Sequence, residues 1–316
     1  MAESGPHDIS VIVPCKNATS TLPLLLESLA TQRTRVSFEV ILSDNRSGDG
    51  LRRVALDWKA RLPQLRVVDA FEESGASYAR NVGADAARSS RLMFCDADDV
   101  VSATWIDHGA RAFQRSELWS GAALPVDDTE FGSDVESLRQ RIGDSSVWEE
   151  LVDDQDGAFP ILMGGNFGVK AEVYRRLGGF DQSLPTAGED NDLAVRARLR
   201  GRRIPIAPSV RIAYRIRTSS SARRRQQYQA AVAHSLLASR YGLWSESPYP
   251  VWWIALARAF AAMLRMTVIP RTRDWSGLSE RMASALGFTI GTFRYRYLRR
   301  LPPPRLGVGL TSRLDP

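Results

Sequence analysis

The first hundred residues alternate between short apolar segments and amphipathic ones, and this alternation leaves few folds open to the chain. The apolar segments are rich in Val, Ile and Leu and end at turn-forming or acidic residues, which is typical of buried strands. They cover residues 8–14, 38–43, 64–70 and 91–95, and the segments that predict helices between them cover 20–32, 49–61 and 77–87. An order of this kind builds a mostly parallel sheet flanked by helices. The sequence therefore predicts an α/β fold.

Beyond residue 100 the pattern is less regular, but it still divides the chain. Helices are predicted at 102–116, 171–178 and 189–200, and extended segments at 119–126, 164–169, 203–207 and 210–216. The acidic stretch 127–158 predicts a mobile loop over a site. Three more helices are predicted at about 222–241, 250–268 and 276–298. These patterns predict an α/β domain at 1–218, an arginine-rich helical appendage at 219–300 and a disordered tail at 301–316.

Charge is unevenly distributed along the chain. Residues 1–200 carry 22 Lys and Arg against 32 Asp and Glu, whereas residues 201–316 carry 20 Arg, no Lys and 4 acidic residues. Because the net charge changes from −10 to +16, the second part predicts contact with a polyanion, which could be an anionic membrane surface, a lipid phosphate or nucleic acid. The apolar helix predicted at 250–268 is too short between charges to cross a bilayer, so it either packs on the first domain or lies in the membrane interface.

Two features bear on where the protein works. Cys15 and Cys95 are the only cysteines, and their positions at strand ends favour a reducing compartment without a disulfide framework. Residues 1–8 have neither the basic region nor the apolar run of a secretory signal. The sequence predicts a cytoplasmic protein, peripheral on the inner face of the cell membrane if the appendage contacts lipid.

An acidic cluster, Asp96-Ala97-Asp98-Asp99, follows directly after the predicted strand 91–95. Open α/β sheets bind ligands at the carboxyl ends of their strands. Two carboxylates one residue apart can share a divalent cation, because hard cations prefer oxygen ligands. If that cation also binds a diphosphate, the cluster indicates an enzyme that uses a nucleotide sugar. A solvent-exposed acidic turn is the alternative.

Three further segments could complete such a site. Asp44 ends the second predicted strand, where it could accept a hydrogen bond from a nucleotide base or simply form a turn. Gly75–Gly83 opens a helix with small residues, and Arg80 could reach a phosphate from there or remain solvated. The segment Glu189–Asp192 holds more acids than a helix N-terminus needs, so one of them could deprotonate a sugar hydroxyl, with helix capping as the alternative.

Taken in this order, the segments between residues 8 and 216 resemble the family 2 glycosyltransferases of the GT-A fold. The motifs that carry the resemblance are Val11–Pro14 with Asn17, Asp44, Gly75–Gly83, Asp96–Asp99, Gly165–Asn166, Gly179–Asp181 and Glu189–Asp190. Each motif is degenerate alone, but the ordered set is specific. It implies a GT-A (Rossmann-like) domain, a nucleoside-diphosphate sugar as donor with UDP as the expected nucleotide, and Mg²⁺ or Mn²⁺ as cofactor.

The resemblance also implies roles for individual residues. Nucleotide binding falls to Pro14, Asn17, Asp44, Arg80 and Asp96, and metal binding to Asp98 with Asp96. Asp190 becomes the general base and Glu189 its neighbour that orients the acceptor, while Gly165 and Asn166 form the floor of the sugar or acceptor pocket. The implied reaction is one in-line displacement that inverts the anomeric carbon. A glycan or lipid-linked acceptor of cell-envelope or polysaccharide synthesis is expected, and nucleic acid is not.

One departure from the family concerns the metal. Many members place a histidine on a late strand, but here residues 210–217 read Val-Arg-Ile-Ala-Tyr-Arg-Ile-Arg. Either the cation is held more loosely, or Arg215 and Arg217 share the diphosphate charge with it. The three histidines, His7, His108 and His234, are interpreted as surface or packing residues. Two other functions stay open: a degenerate nucleotide-sugar-binding scaffold at the membrane, and a metal-dependent nucleotidyltransferase, for which a glycine-rich basic loop near the amino terminus is missing.

Overall fold

The computed structural model describes residues 7–132, 134–153, 155–184, 187–216, 219–249, 251–268 and 274–311. Within these residues the strands form one eight-stranded sheet in the order β3-β2-β1-β4-β7-β6-β8-β5. The strands are β1 (Ile9–Cys15), β2 (Phe38–Asp44), β3 (Leu65–Asp69), β4 (Arg91–Cys95), β5 (Val100–Val101), β6 (Leu118–Asp127), β7 (Asn166–Lys170) and β8 (Ile206–Ile216).

Helices cover both faces of the sheet and continue into the appendage. They are α1 (Leu22–Ala30), α2 (Leu51–Asp57), α3 (Ala76–Asp85), α4 (Trp105–Arg115), α5 (Val135–Arg141), α6 (Ala171–Leu177), α7 (Glu189–Leu199), α8 (Ser220–Arg240), α9 (Trp252–Val268) and α10 (Trp275–Gly291). Short 3₁₀ turns follow β6 and α8, at Asp128–Gly132 and Trp244–Glu246, and a π-helical turn at Thr292–Tyr297 extends α10.

The sheet has a parallel half and a mixed half. Strands β3, β2, β1 and β4 are parallel, as the strand–helix alternation predicts. Beyond β4, strand β7 runs antiparallel to both β4 and β6, and β5 runs antiparallel to β8, while β6 and β8 are parallel. The predicted α/β class with a mostly parallel sheet is therefore confirmed, and among the described strands β5 and β7 run opposite to the other six. Register aligns Cys15 with Asp44 and Asp44 with Asp69, so these strands end at one edge.

Successive strand residues point to opposite faces of the sheet and build two cores. Val11 and Val13 pack on one side with the leucines of α1. Ile12, Phe94 and Phe167 pack on the other side with α6 and α7, and the rings of Phe94 and Phe167 stack at 4.4 Å between centroids. Burial on both faces, at about 1.5–3 kcal/mol for each large side chain, fixes the strand ends that carry the acidic cluster.

Two segments that the sequence predicted as a mobile loop and a disordered tail make packing contacts and hydrogen bonds in the described residues. The stretch 127–158 contains α5, whose Val135 and Leu138 pack with Phe131 in a small apolar cluster. Helix α5 has only two apolar residues among charged and polar ones, too few to mark a helix within an acidic stretch. The part of the expected site-covering loop around α5 is thus a packed element of the domain.

The carboxyl-terminal segment 301–311 returns to the α/β domain and forms hydrogen bonds with it. Asn81 Nδ2 donates to the carbonyl of Val308 at 2.8 Å, and the amide of Arg305 donates to Asp181 Oδ1 at 2.8 Å. These hydrogen bonds hold a proline-rich segment whose composition alone predicted disorder. The last five residues of the predicted tail lie outside the described part of the chain.

The appendage is built on a close contact between α8 and α10, which run in the same direction. Arg223 of α8 pairs with Glu280 of α10 at 2.7 Å. Further along, a Cβ placed on Gly287 would lie 2.5 Å from the carbonyl oxygen of Tyr228, so only glycine permits this approach. Helix α9 packs against α10. Among the described residues, no helix combines the length and the apolar character needed to cross a bilayer.

Candidate active site

A cleft of about 490 Å³ opens at the edge where β1, β2 and β4 end and α3 begins. Five of the residues predicted for the site line it: Pro14, Asn17, Arg80, Asp96 and Asp98. They come from separate strand ends and one helix, so the parallel half of the sheet brings them together. This is the edge at which open α/β sheets bind ligands.

Asp44 is not part of the cleft wall, although the sequence pointed to it. Its side chain is buried, and Oδ1 accepts a hydrogen bond from the amide of Ser47 at 2.8 Å, in the turn after β2. The next residue, Asn45, lines the cleft instead. Its Oδ1 accepts from the amide of Gly75 at 2.9 Å, and its Nδ2 donates to the carbonyl of Ala70 at 2.6 Å. Asn45 therefore orders the loop that leads into α3.

Asn17 also orders a loop at the rim of the cleft. Its backbone is left-handed, with φ of 52°, a conformation that asparagine tolerates better than most residues. Its Oδ1 accepts from the amide of Gly48 at 2.9 Å, and its own amide donates to Ser47 Oγ at 3.1 Å. The β1–α1 and β2–α2 loops are thus joined at the edge that Pro14 and Asn17 line.

Arg80 connects the two acidic clusters that the sequence singled out. Its buried guanidinium pairs with Asp96 at 2.8 Å and with Glu189 at 3.2 Å, although Glu189 lies more than a hundred residues further along the chain. Burial alone would lower the pKa of Arg80, but the charges of Asp96 and Glu189 outweigh it and raise that pKa. Arg80 is therefore a permanent cation between the end of β4 and the start of α7.

Two consecutive glycines lie between the same clusters. A Cβ on Gly165 would be 2.7 Å from Asp96 Oδ2, and one on Gly164 would be 3.2 Å from Asp190 Oδ2. The turn before β7 thus contacts the β4 cluster with one residue and the α7 cluster with the other. The role of Gly165 in the floor of the sugar or acceptor pocket stays a prediction. A side chain there would displace Asp96.

Asn166, predicted as part of the pocket floor, is instead a buried structural residue. Its Oδ1 accepts from Trp105 Nε1 at 2.9 Å. Its Nδ2 donates to the carbonyls of Ala122 at 2.9 Å and Val210 at 2.8 Å. Every polar atom of the carboxamide is occupied inside the protein, so Asn166 ties β7 to β6 and β8 rather than facing a ligand.

The three acidic residues at the start of α7 lie in different environments. Glu189 pairs with Arg80, as described, while Asp192 is fully buried and pairs with Arg196 at 2.7 Å. Asp190 lies between them, partly exposed, and its Oδ2 accepts from the amide of Gly164 at 3.3 Å. Burial, followed by the adjacent charge of Glu189, raises the pKa of Asp190 to about 6. A carboxylate with that pKa is suited to accept a proton near neutral pH.

The acidic cluster after β4 has the chemistry of a divalent-cation site. Asp98 is exposed at the cleft, and Asp99 is buried behind it with Oδ2 lacking any hydrogen-bond partner. Burial, together with the charges of Asp96 and Asp98, raises the pKa of Asp99 well above its usual range. A cation would balance this concentration of negative charge, so the residues fit Mg²⁺ or Mn²⁺. Among the described residues, no group of three or more His, Cys, Asp or Glu side chains is arranged to hold a metal ion, so Asp96 and Asp98 would need further ligands from substrate or water.

Arg215 lies in β8, within the late-strand segment that lacks the histidine of many family members. Its guanidinium pairs with Asp128 at 2.9 Å, donates to the carbonyl of Asp98 at 3.3 Å and lies 4.2 Å from the ring centroid of Phe131. The guanidinium of Arg215 is therefore held against the acidic loop Asp96–Asp99 from the side of β8. Arg217, named with it, lies outside the described residues.

Two of the histidines are packing residues in the structure, as interpreted. His108 is buried, with Nδ1 at 3.0 Å from the carbonyl of Ser209. His234 packs between Phe159 and Tyr249 in the appendage, and burial lowers its pKa to about 4. Neither lies in the cleft, so neither contributes to the candidate site.

The sheet order and the cleft at its edge define the GT-A class of fold. Two solved structures share it. One is the mannosyltransferase PcManGT from Pyrobaculum calidifontis in complex with GDP-Man and Mn²⁺, with TM-score 0.60, 20% identity and coverage of 90% of this chain and 87% of that one. The other is S. aureus TarS 1–349 in complex with UDP-GlcNAc, with TM-score 0.54, 17% identity and 92% of both chains. At these identities the likeness establishes the fold alone.

The sequence comparison establishes the family. Residues 10–178 match the family model described as glycosyl transferase family 2, and the chain belongs to this family, which confirms the family resemblance of its motifs. An uncharacterized glycosyltransferase of Haemophilus influenzae is 26% identical over 204 residues, which are 60% of this chain and 61% of the relative. The chain thus spans about three fifths of that relative's length.

Proposed function

We propose that the protein is an inverting glycosyltransferase that moves a sugar from a nucleoside-diphosphate donor to a glycan or glycolipid acceptor in cell-envelope or polysaccharide synthesis. The observation that carries the proposal is the bridge made by Arg80 between Asp96 and Glu189. It joins the acidic cluster after β4, which would bind the donor, to helix α7, which bears Asp190. A transferase needs both parts at one edge of the sheet, whereas a nucleotide-binding scaffold needs only the first.

The donor nucleotide would occupy the cleft lined by Pro14, Asn17, Asn45 and Arg80. Two structural neighbours were solved in complex with GDP-Man or UDP-GlcNAc, which supports a nucleotide sugar, with UDP our first choice. The diphosphate would lie toward Asp98, where Mg²⁺ or Mn²⁺ held by Asp98 and Asp96 would neutralise the leaving group. Arg215 would add a second positive charge on that side.

Asp190 would act on the acceptor. Its carboxylate, held by the amide of Gly164, would take the proton of the attacking hydroxyl while the bond to the diphosphate breaks on the opposite face of the sugar. Glu189 would orient the acceptor beside it, itself positioned by Arg80. One displacement with attack opposite the leaving group inverts the anomeric carbon and forms no covalent bond to the enzyme.

Donor binding is tested most directly by thermal stability. UDP, GDP and dTDP with Mn²⁺ should be compared on the wild type and on Asp98→Asn. A ligand at about 100 times its Kd stabilises the native state by about 2.7 kcal/mol, so one nucleotide should raise the Tm by several degrees, and Asp98→Asn should lose the Mn²⁺-dependent part of the rise.

The matched control is Asp57→Asn, an exposed carboxylate at the end of α2 outside the cleft. It should respond to nucleotide like the wild type. No shift with any nucleotide would contradict the donor site, on which the transferase and the nucleotide-sugar-binding scaffold both depend. A nucleotide-dependent shift without sugar transfer would favour the scaffold. Release of pyrophosphate instead of nucleoside diphosphate during turnover would identify a nucleotidyltransferase.

The pH dependence of turnover tests Asp190. Because its pKa is about 6 in the fold, we expect kcat to rise about tenfold per pH unit below pH 6 and to level off above it. The measurement is kcat for sugar transfer between pH 5 and 8 at saturating donor. A rate that stays constant across this whole range would contradict proton transfer to Asp190.

A further inference from the structure

The outward faces of α9 and α10 are apolar, which reverses the usual arrangement of a helix on a protein surface. Large apolar side chains on these helices and on the π-helical turn are 42–64% exposed. They are Trp253, Phe260 and Leu264 in α9, and Trp275, Met282, Leu286, Phe293 and Tyr297 in α10 and its extension. Isolated exposed apolar residues are common on proteins, but a contiguous set marks an interaction site.

These residues form one surface because their spacing follows the helix. Residues seven and eleven positions apart, such as Trp253, Phe260 and Leu264, lie on the same face of α9. The same spacing recurs along α10. The ring of Phe293 contacts that of Trp252 at 5.4 Å between centroids, which joins the stripe of α10 to the start of α9. We call the two stripes together the α9/α10 surface.

Arginines border the α9/α10 surface. The exposed ones are Arg258, Arg265, Arg281, Arg294, Arg296, Arg299 and Arg300. Among the described residues none of these seven takes part in an ion pair, whereas Arg223 and Arg240 of α8 each pair with an acid. Residues 219–300 contain 13 Arg against 3 acidic residues. The folded appendage thus leaves a large positive charge next to an exposed apolar surface.

We propose that the α9/α10 surface docks the protein on an anionic lipid bilayer. Tryptophan, phenylalanine and leucine can enter the boundary between headgroups and acyl chains, while arginines at the border bind lipid phosphates. Since no described helix can cross a bilayer, the contact lies in the interface. A second copy of the chain is a poorer occupant, because it would bring another net charge of +10 from residues 219–300 against the first.

Packing contacts and ion pairs connect the α9/α10 surface to the candidate active site. Helix α10 packs on α8, and Arg240 at the end of α8 pairs with Asp181 at 2.7 Å and lies 3.7 Å from Asp192. Asp192 follows Asp190 by two residues in α7. Docking would therefore hold α7 at a fixed position relative to the bilayer. This step rests on the proposed function, and it favours an acceptor carried on a lipid.

Vesicle co-sedimentation tests the docking. Full-length protein should bind vesicles of phosphatidylcholine mixed with phosphatidylglycerol, bind pure phosphatidylcholine vesicles far less, and lose binding as salt is raised. Phe260→Ser/Leu264→Ser should weaken binding to anionic vesicles by at least about 10-fold, and Arg258→Gln/Arg265→Gln/Arg281→Gln by about 10- to 100-fold.

The control variant is Leu56→Ser/Leu199→Ser, which removes two apolar side chains that are 69% and 58% exposed on α2 and at the end of α7. It should bind vesicles like the wild type. The proposal is overturned if the wild type does not bind anionic vesicles, or if this control loses as much binding as the α9 variant. It is also overturned if light scattering shows a dimer that Phe260→Ser/Leu264→Ser dissociates. Nucleotide-induced stabilisation is measured without lipid, so failure of docking and failure of the transferase proposal are separate results.

Discussion

Replacing Asp190 by asparagine is expected to lower kcat by about 10²- to 10⁴-fold, which is the contribution of a positioned general base. Asparagine keeps the shape of the side chain and can still accept the hydrogen bond from Gly164, but it cannot take a proton. Donor binding should be unchanged, because Asp190 does not line the nucleotide cleft. The measurements are kcat, the KM for the donor and the nucleotide-induced rise in Tm.

The same variant should be more stable than the wild type at neutral pH. A carboxyl whose pKa is raised from its unfolded value of 3.8 to about 6 in the fold loses stability as pH rises through that interval. The asparagine side chain does not titrate, so the gain in Tm should be near zero at pH 4 and largest above pH 6. Since Asp190 is partly exposed, we expect the free energy of unfolding to rise by at most about 1–2 kcal/mol.

Asp192 offers a comparison within the same helical turn. Asp192→Asn removes the charge that Arg196 pairs with inside the protein, so it should lower the Tm where Asp190→Asn raises it. A transfer rate for Asp190→Asn within tenfold of the wild type would remove Asp190 from the role of base. Equal losses of Tm in the two variants would show that both carboxylates are structural.

The sequence allowed the parallel half of the fold to be predicted, because each strand and helix in it is recognisable from the apolar pattern of its own short segment. The mixed half was not predictable in the same way. Strands β6, β7 and β8 pair across long separations, and the partner of a strand leaves no local signal. Helix α5 was missed for a related reason, since its two turns are fixed by contacts with Phe131 rather than by a long apolar stripe.

Within the site, the sequence located clusters better than individual roles. Asp44 and Asn45 are adjacent at the end of β2, and a shift of one residue decides which of them lines the cleft. Asn166 is adjacent to Gly165, yet its side chain is buried and only the glycine contacts the acidic cluster. Asn45 is a polar residue at a strand end that the sequence prediction missed, and Asp99 was named only as a member of its cluster, because their hydrogen bonds and burial depend on loops distant in sequence.

Arg80 can be tested as the link between the two acidic clusters by replacing it with methionine, which keeps much of the volume and removes the charge. Asp96 and Glu189 would then face each other without a cation, next to Asp190. Removing one partner of a buried ion pair costs about 3–5 kcal/mol, and partial exposure of the two carboxylates reduces this to about 2–3 kcal/mol here. Denaturant unfolding measures the loss, and sugar transfer by the folded fraction measures the effect on the site.

The loss should depend on pH, because the charge of Arg80 lowers the pKa of Asp190 in the fold, and removing the guanidinium would raise that pKa further. Stability is then lost as pH rises, so Arg80→Met should be closer to the wild type at pH 5 than at pH 8. Adding Glu189→Gln should restore part of the stability, since one of the unpaired charges is gone. It should not restore transfer, because Asp96 and α7 would still lack the residue that joins them.

Arg66→Met provides the matched control, because Arg66 pairs with the buried Glu39 at 2.8 Å on the β2–β3 side of the sheet. It should also destabilise the fold, but its folded fraction should transfer sugar at the wild-type rate. If Arg80→Met and Arg66→Met lose stability alike and both keep kcat, Arg80 is a structural ion pair only. A drop in kcat confined to Arg80→Met would mean that the acidic clusters after β4 and in α7 act as one site. Only that variant removes the link between Asp96 and the helix that carries Asp190.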